Sequence, residues 1–114
     1  MTKTVLITGG ARFVGSSLSI QLKKFYPDYK IIALDNLKRR GSELNLSRLR
    51  ESSVEFFHGD IRNPEDFDIL PKIDVIIEAS AEPSVLAGIS GTPDYVVNTN
   101  LVGTINCLNF ALKN

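Results

Sequence analysis

The sequence predicts an α/β fold, a doubly wound parallel sheet of about four strands with helices on both faces. Three observations predict it. Short apolar runs alternate with stretches whose apolar residues fall at helical spacing. Each run is continuous rather than alternating in and out, which suits strands covered on both faces. The first run ends in a glycine turn, "TGGARFVGSS" at residues 8–17, that leads directly into helical spacing.

In chain order, Val5-Leu6-Ile7 forms the first strand and Thr8-Gly9-Gly10 its turn. Phe13, Val14, Leu18, Ile20, Leu22 and Phe25 mark a helix that Pro27-Asp28 stops. Ile31-Ile32-Ala33-Leu34 is the second strand, closed by Asp35-Asn36. Leu44, Leu46 and Leu49 are expected to give a short helix an apolar face turned to the core. Val54-Glu55-Phe56-Phe57 reads as the third strand, ending at His58-Gly59-Asp60. Asn63 suits an N-cap and Pro64 the first position of a following helix. Val75-Ile76-Ile77 is the fourth strand. Residues 82–91 have no clear period and read as a loop or irregular helix, and Thr92-Pro93-Asp94 opens a longer helix to about Leu112.

The 114 residues suffice for one domain, expected to span 1–114. Lys plus Arg and Asp plus Glu balance at 13 each, which argues against a nucleic-acid or membrane partner that reads bulk charge. No apolar run approaches the ~18 residues a membrane span needs. Cys107 and His58 are the only residues of their types, so an intramolecular disulfide and a four-cysteine zinc site are excluded. Cys107 falls among Ile105, Leu108 and Ala111 and reads as packing, and His58 as structural. With no charged leader before the first strand, the expected compartment is the cytoplasm.

Ligands of such sheets bind outside the C-terminal strand ends, where this sequence places Gly9, Asp35, Asp60 and Ala79-Ser80. Gly9 fits a tight turn that brings backbone N–H groups to a pyrophosphate, and Gly15 fits close packing of the new helix on the strands. Asp35, about 20 residues after Gly15, is spaced to accept from the ribose hydroxyls of an adenosine. Its charge would repel a 2′-phosphate and so favours NAD over NADP, while Arg39 and Arg40 stand close enough to work the other way. Asp60 suits an adenine amino group or a turn cap, and spacing does not choose between them.

Four stretches carry a family resemblance: Thr8-Gly9-Gly10-Ala11 to Gly15, Leu34-Asp35-Asn36-Leu37, Gly59-Asp60-Ile61-Arg62 and Asn100-Leu101-Val102-Gly103-Thr104. In this order they resemble the N-terminal part of the extended short-chain dehydrogenase/reductase family, the NAD-dependent nucleotide-sugar epimerases and dehydratases with a Rossmann-type sheet. Within it, "DNLKRRGSELNLSRL" looks most like the CDP-paratose (tyvelose) 2-epimerases. The resemblance implies NAD contacts from Gly9, Arg12, Phe13, Val14 and Gly15 at the pyrophosphate and from Asp35 and Asn36 at the adenosine ribose. It implies Asp60 and Ile61 at the adenine, Ala79, Ser80 and Ala81 beside the nicotinamide-side ribose, and Asn100 shaping the active site. A nucleotide-sugar substrate and a homodimer of the complete enzyme are implied too.

Two positions depart from the family pattern. Arg12 stands where a glycine is usual, and its side chain could crowd the pyrophosphate or swing aside and attract it. Glu78-Ala79-Ser80-Ala81 replaces a His-Leu-Ala-Ala-like stretch, harmlessly if Glu78 faces solvent. The family's catalytic pair is a tyrosine with a lysine four residues on. Tyr26 and Lys30 match that spacing, but Pro27 and Asp28 between them break the helix that would align them. No catalytic residue is therefore assigned. These residues are expected to supply cofactor binding without the acid/base machinery, which follows later in the family's order. The alternative is a non-catalytic, dinucleotide-responsive or scaffolding module. Without the remaining elements, the half-sheet is expected to self-associate.

Overall fold

Leu6, Ile7, Ile32, Ala33 and Leu34 are completely withdrawn from solvent, as unbroken apolar runs require when both faces of a sheet are covered. The computed structural model describes residues 2–80 and 98–113. Along the chain run β1 (Thr4–Thr8), α1 (Phe13–Phe25), β2 (Lys30–Asp35), α2 (Leu46–Glu51), β3 (Glu55–His58), β4 (Val75–Glu78) and α3 (Gly103–Lys113). The strands lie in the order β3-β2-β1-β4, all parallel, with Ile7 in register between Ala33 and Ile77. The chain steps outward from β1 to β3, then crosses back to β4, so the winding reverses between β1 and β4. Ligand crevices of open α/β sheets form at such a switch point.

Each face has its own apolar layer. Leu6, Ile32 and Leu34 pack with Ile61, Phe67, Ile73 and Cys107 under α3, where the rings of Phe67 and Phe110 stand 5.0 Å apart. Val5, Ile7, Ile31 and Ala33 pack on the opposite face with Leu49, Val54 and, from α1, Leu18, Ile20 and Leu22. The expected half-sheet with helices on both faces is therefore present.

Local corrections follow from packing. In α1 the apolar residues at the two ends, Phe13 (80% exposed), Val14 and Phe25, face solvent. The fully buried positions are Gly15, Ser16 and Ser19, small enough for the helix to lie close to the strands. Ser19 Oγ donates to the carbonyl of Gly15 at 2.7 Å, and this back-bonding removes the cost of a buried hydroxyl. Leu44 lies in a 3-10 turn (Ser42–Asn45) and is 74% exposed, so only Leu46 and Leu49 of the expected stripe meet the core. The helix expected from Pro64 is a single 3-10 turn, Pro64–Phe67, with Asn63 at its N-cap but no side-chain cap. Asp66 performs the local bonding, its Oδ2 accepting from the amide of Asp60 at 2.8 Å. The described part of the last helix begins with a π-helical turn, Asn98–Val102. Its expected start at Thr92, and residues 82–91, lie outside the described residues.

Tyr26 and Lys30 are placed far from any shared helix face. Tyr26 follows the end of α1 and stacks on Tyr29 with centroids 4.6 Å apart, whereas Lys30 opens β2 and pairs with Glu55 at 3.5 Å. Both sit at the N-terminal end of the strands, opposite Gly9 and Asp35. Among the described residues, no helix is long and apolar enough to cross a membrane, and no group of His, Cys, Asp and Glu is arranged to hold a metal ion.

A β-carbon on Gly15 would collide with the carbonyl of Gly9. Gly15→Ala is therefore expected to cost about 1–3 kcal/mol, the usual range for overpacking. Urea unfolding checks this, and an unchanged midpoint would show that α1 can retreat from the loop freely.

Candidate functional site

The C-terminal ends of all four strands converge on one crevice, lined by Gly9, Arg12, Leu34, Asp35, Asn36, Gly59, Asp60, Ile61 and Ser80. Each wall follows from local chemistry. Gly9 takes φ +66°, and a β-carbon there would meet the carbonyl of Ala79, so β1 and the β4 loop touch only because this residue has no side chain. Arg12 occupies the N-cap of α1 and makes no side-chain cap. The first-turn N–H groups of Phe13, Val14 and Gly15 have no intrahelical acceptor and point out of the helix end, the arrangement that binds anions.

Asp35 is only 4% exposed at the end of β2. Its Oδ2 accepts from the Ala11 amide at 3.0 Å and its Oδ1 from the Leu37 amide at 2.8 Å. The first bond ties the glycine loop to β2, and the second shapes a turn in which Leu37 takes φ 59°. Each carboxylate oxygen has room for about one more donor. Beside it, Asn36 Oδ1 accepts from the Lys38 amide at 3.0 Å, and Nδ2 donates to Asp60 Oδ2 at 3.1 Å.

Asp60 is engaged more completely. Arg62 donates from its backbone amide and from Nε to Oδ1, each at 2.9 Å, and from Nη2 to Oδ2 at 2.5 Å. With Asn36 on the same oxygen, an adenine amino group would have to displace one of these donors to bind the carboxylate. Burial works to raise the pKa of Asp60. The hydrogen bonds from Arg62 and Asn36, with the charge of Arg62, outweigh it and hold the group at about 2. Ile61 lies against Gly103, where a β-carbon would strike its side chain, and its carbonyl accepts from Asn106 Nδ2 at 2.7 Å. In this way α3 fixes the β3 wall of the crevice.

At the end of β4, Glu78 is exposed, and its Oε1 accepts from the Ser80 amide at 2.8 Å and from Ser80 Oγ at 2.5 Å. Its Oε2 lies 3.3 Å from Thr104 Oγ1, which donates to the carbonyl of Asn100 at 2.8 Å. The carboxylate thus organises the β4 loop. Cys107 is pushed up to about 12 by burial, with the charge of Glu78 adding to it, and stays a packed thiol. His58 ends β3 exposed, in register with Asp35.

Of the residues singled out from sequence, Gly9, Arg12, Asp35, Asn36, Asp60, Ile61 and Ser80 line the crevice. Phe13, Val14 and Gly15 form the helix turn above it, and Ala79 adjoins Gly9. Asn100, in the π-helical turn, does not line it. Ala81 lies outside the described residues. Leu34 and Gly59 were not among the residues singled out, although both fall within stretches that carry the resemblance. The signal for Gly59 is steric, because a β-carbon there would press on Leu34 and Asp66.

The profile of the NAD dependent epimerase/dehydratase family matches residues 5–114. The chain belongs to this family. A UDP-glucose 4-epimerase from Cyamopsis tetragonoloba is 35% identical over 91% of this chain and 31% of its own length. A dTDP-D-glucose 4,6-dehydratase from Dictyostelium discoideum is also 35% identical, over 96% of this chain and 27% of its own. Among solved structures, a dTDP-glucose 4,6-dehydratase from Bacillus anthracis in complex with NAD superposes with a TM-score of 0.80 at 29% identity, covering 97% of this chain and 34% of that one. A UDP-glucose 4-epimerase from Bifidobacterium longum in complex with NAD+ and UDP gives 0.81 at 27% identity, covering 96% of this chain and 33% of that one. The chain thus spans about a third of the length of these relatives.

The folded Asp60 titrates at about 2 against an ordinary value of 3.8, so its stabilising contribution is complete above 3.8 and is lost as pH falls through about 2. Asp60→Asn is expected to flatten the acid limb of the stability profile in that window. Urea midpoints measured down this range check it, and identical profiles for both proteins would show that Asp60 contributes nothing.

Proposed function

We propose that this chain is the dinucleotide-binding part of a nucleotide-sugar epimerase or dehydratase, and that the crevice holds NAD. The observation that carries the reading is the convergence of Gly9, Asp35, Asp60 and Ser80, from four strand ends, on one crevice at the switch point of the sheet. The glycine loop fits the group, because the absence of β-carbons at Gly9 and Gly15 keeps the backbone low enough for a pyrophosphate to approach the first-turn amides. When bound, NAD supplies reversible hydride acceptance from a sugar carbon.

In this reading Phe13 and Val14 offer their amides to the pyrophosphate, and Asp35 takes the adenosine ribose hydroxyls on its two remaining lone pairs. Ile61 supplies an apolar wall for the adenine, with Asn36 and Asp60 at its rim. Ala79, Ser80 and Ala81 stand beside the nicotinamide-side ribose, and Asn100 shapes the neighbouring sugar site. Arg12 reaches into the crevice with its Nε buried, so the side chain occupies space that the pyrophosphate needs. Neither Tyr26 nor Lys30 is near enough to act on a substrate at this crevice, and in this reading the chain supplies cofactor binding while the acid/base residues belong to the rest of the enzyme.

The apolar side chains of Leu101, Ile105, Leu108 and Leu112, exposed along the last helix, and Val75 on β4 fit a surface that further elements cover in the complete enzyme. A homodimer of that enzyme and a cytoplasmic location belong to the same proposal.

Calorimetric titration with NAD is expected to show binding, and no heat of binding under low-salt conditions would refute the reading. Arg12→Gly is expected to tighten NAD several-fold, and weaker binding by the variant would show that the guanidinium attracts the pyrophosphate more than it crowds it. The chain alone is expected to leave a nucleotide sugar unchanged. In size-exclusion chromatography its apparent mass should rise with concentration, whereas a monomer at every concentration would contradict the reading of the exposed apolar face.

A further inference from the structure

The β4 wall of the crevice carries a hydroxyl–carboxylate pair whose two members both depart from the family pattern. Glu78 and Ser80 stand where that pattern has a histidine and an alanine. Ser80 is 6% exposed and lines the crevice. Both of its donors go to one oxygen, the amide at 2.8 Å and Oγ at 2.5 Å from Glu78 Oε1. A carboxylate only accepts, so the single proton of the Ser80 hydroxyl is committed to Glu78. What Oγ keeps is two lone pairs. Buried Thr8, with Oγ1 at 3.3 Å, stands within reach of one of them, while Thr8 Oγ1 itself accepts from the Ala79 amide at 3.2 Å. The other lone pair is left for a donor in the crevice. A neutral imidazole at position 78 could not build this arrangement, because its one acceptor nitrogen takes a single donor.

We propose that Glu78 is a positioning residue for the nicotinamide half of the dinucleotide, holding the Ser80 hydroxyl as a fixed acceptor for a ribose hydroxyl. The inference rests on the dinucleotide reading above, which sets the second ribose beside Ser80. A serine hydroxyl without such a partner rotates, and its proton competes with the proton of an incoming ribose hydroxyl for the same space. Fixing the rotor beforehand removes that ordering cost from binding. The bond to the carboxylate is also charge-assisted, and donating it polarises Ser80 Oγ into a better acceptor.

Exposure of Glu78 does not weaken this role. Solvent screens a carboxylate's long-range field, whereas the hydroxyl is set by a direct bond. The pair is also anchored to the strand next to it, since the Ala79 amide between its two members lies 3.2 Å from the Thr8 carbonyl. The acceptor is therefore held at the junction of β1 and β4, the switch point of the sheet.

The experiment is calorimetry on the full chain with NAD, ADP-ribose and ADP, the last of which lacks the second ribose. Ser80→Ala is expected to weaken NAD and ADP-ribose about fivefold, the worth of one neutral hydrogen bond, and to leave ADP within about twofold. Glu78→Ala should produce a similar loss with the same split between ligands. Glu78→Gln keeps an acceptor oxygen for Ser80 and should restore most of the affinity. Combining Glu78→Ala with Ser80→Ala should bind NAD no more weakly than Ser80→Ala alone, because Glu78 acts through the hydroxyl. Further loss in the double variant overturns the proposal, since it would show Glu78 shaping the loop by another route. Unchanged NAD affinity in Ser80→Ala, or equal loss of ADP and NAD in Glu78→Ala, overturns it too and leaves the dinucleotide reading intact. If the unaltered chain binds none of the three, both readings fall together.

Discussion

The contact between Gly15 and the carbonyl of Gly9 is the constraint on which the rest of the site depends. It sets how close the first turn of α1 comes to the end of β1, and so where the helix amides point. The same turn places the Ala11 amide on Asp35, which locks the loop to β2, and leaves Gly9 flush against the carbonyl of Ala79 at the end of β4. Gly9 thus brings the ends of β1 and β4 together, and the Asp35 carboxylate holds the end of β2 to the same loop. The helix start also lacks a side-chain cap, with Arg12 at the N-cap. A missing cap costs helices about 1 kcal/mol, and a bound anion supplies equivalent acceptors for the first-turn amides. An anion bound there would restore the local stability that the loop gives up.

Two strand-end aspartates look equivalent in sequence and differ in the folded chain. Asp60 has its oxygens filled by Arg62 and Asn36, and its depressed pKa reports how firmly they are held. It shapes the wall more than it offers a free acceptor. Asp35 accepts two backbone amides and keeps one position open on each oxygen, so it is the carboxylate chemically available to a ribose. Spacing could place both acids at the crevice. The distinction depends on Arg62, whose side chain folds back two residues, and on Asn36 reaching across from the neighbouring strand end.

The strands, their parallel pairing and most crevice residues were legible because they rest on strong local signals: unbroken apolar runs, a glycine turn, and acids at strand ends. What failed to show was the burial of Ser16 and Ser19. They carry no hydrophobic signal, yet they are buried in α1 beside Gly15, on a helix that also packs Leu18, Ile20 and Leu22 against the sheet, whereas its conspicuous Phe13 and Phe25 lie in solvent. Leu44 misled for the converse reason. Its spacing matches Leu46 and Leu49, but the chain is still in a 3-10 turn there, with three residues per turn, and its side chain points away. The helix expected after Pro64 had the right first residues, yet Asp66 turns back to the Asp60 amide and the chain closes a single turn.

Glu78 shows how a departure from the family pattern is absorbed. An acid at the end of a strand that lies against β1 would be costly if its charge were buried without donors. Here the side chain is exposed, and the amide and hydroxyl of Ser80 donate to one oxygen while Thr104 approaches the other. The charge is paid in hydrogen bonds rather than left unsatisfied. Its electrostatic reach falls on Cys107, already kept protonated by burial, and therefore on a group that takes no part in the crevice. The substitution replaces one way of shaping the β4 loop by another, with the loop still set against Gly9. The glycine contact at β1 tolerates it because that contact requires the position of the Ala79 backbone and nothing of the side chain before it.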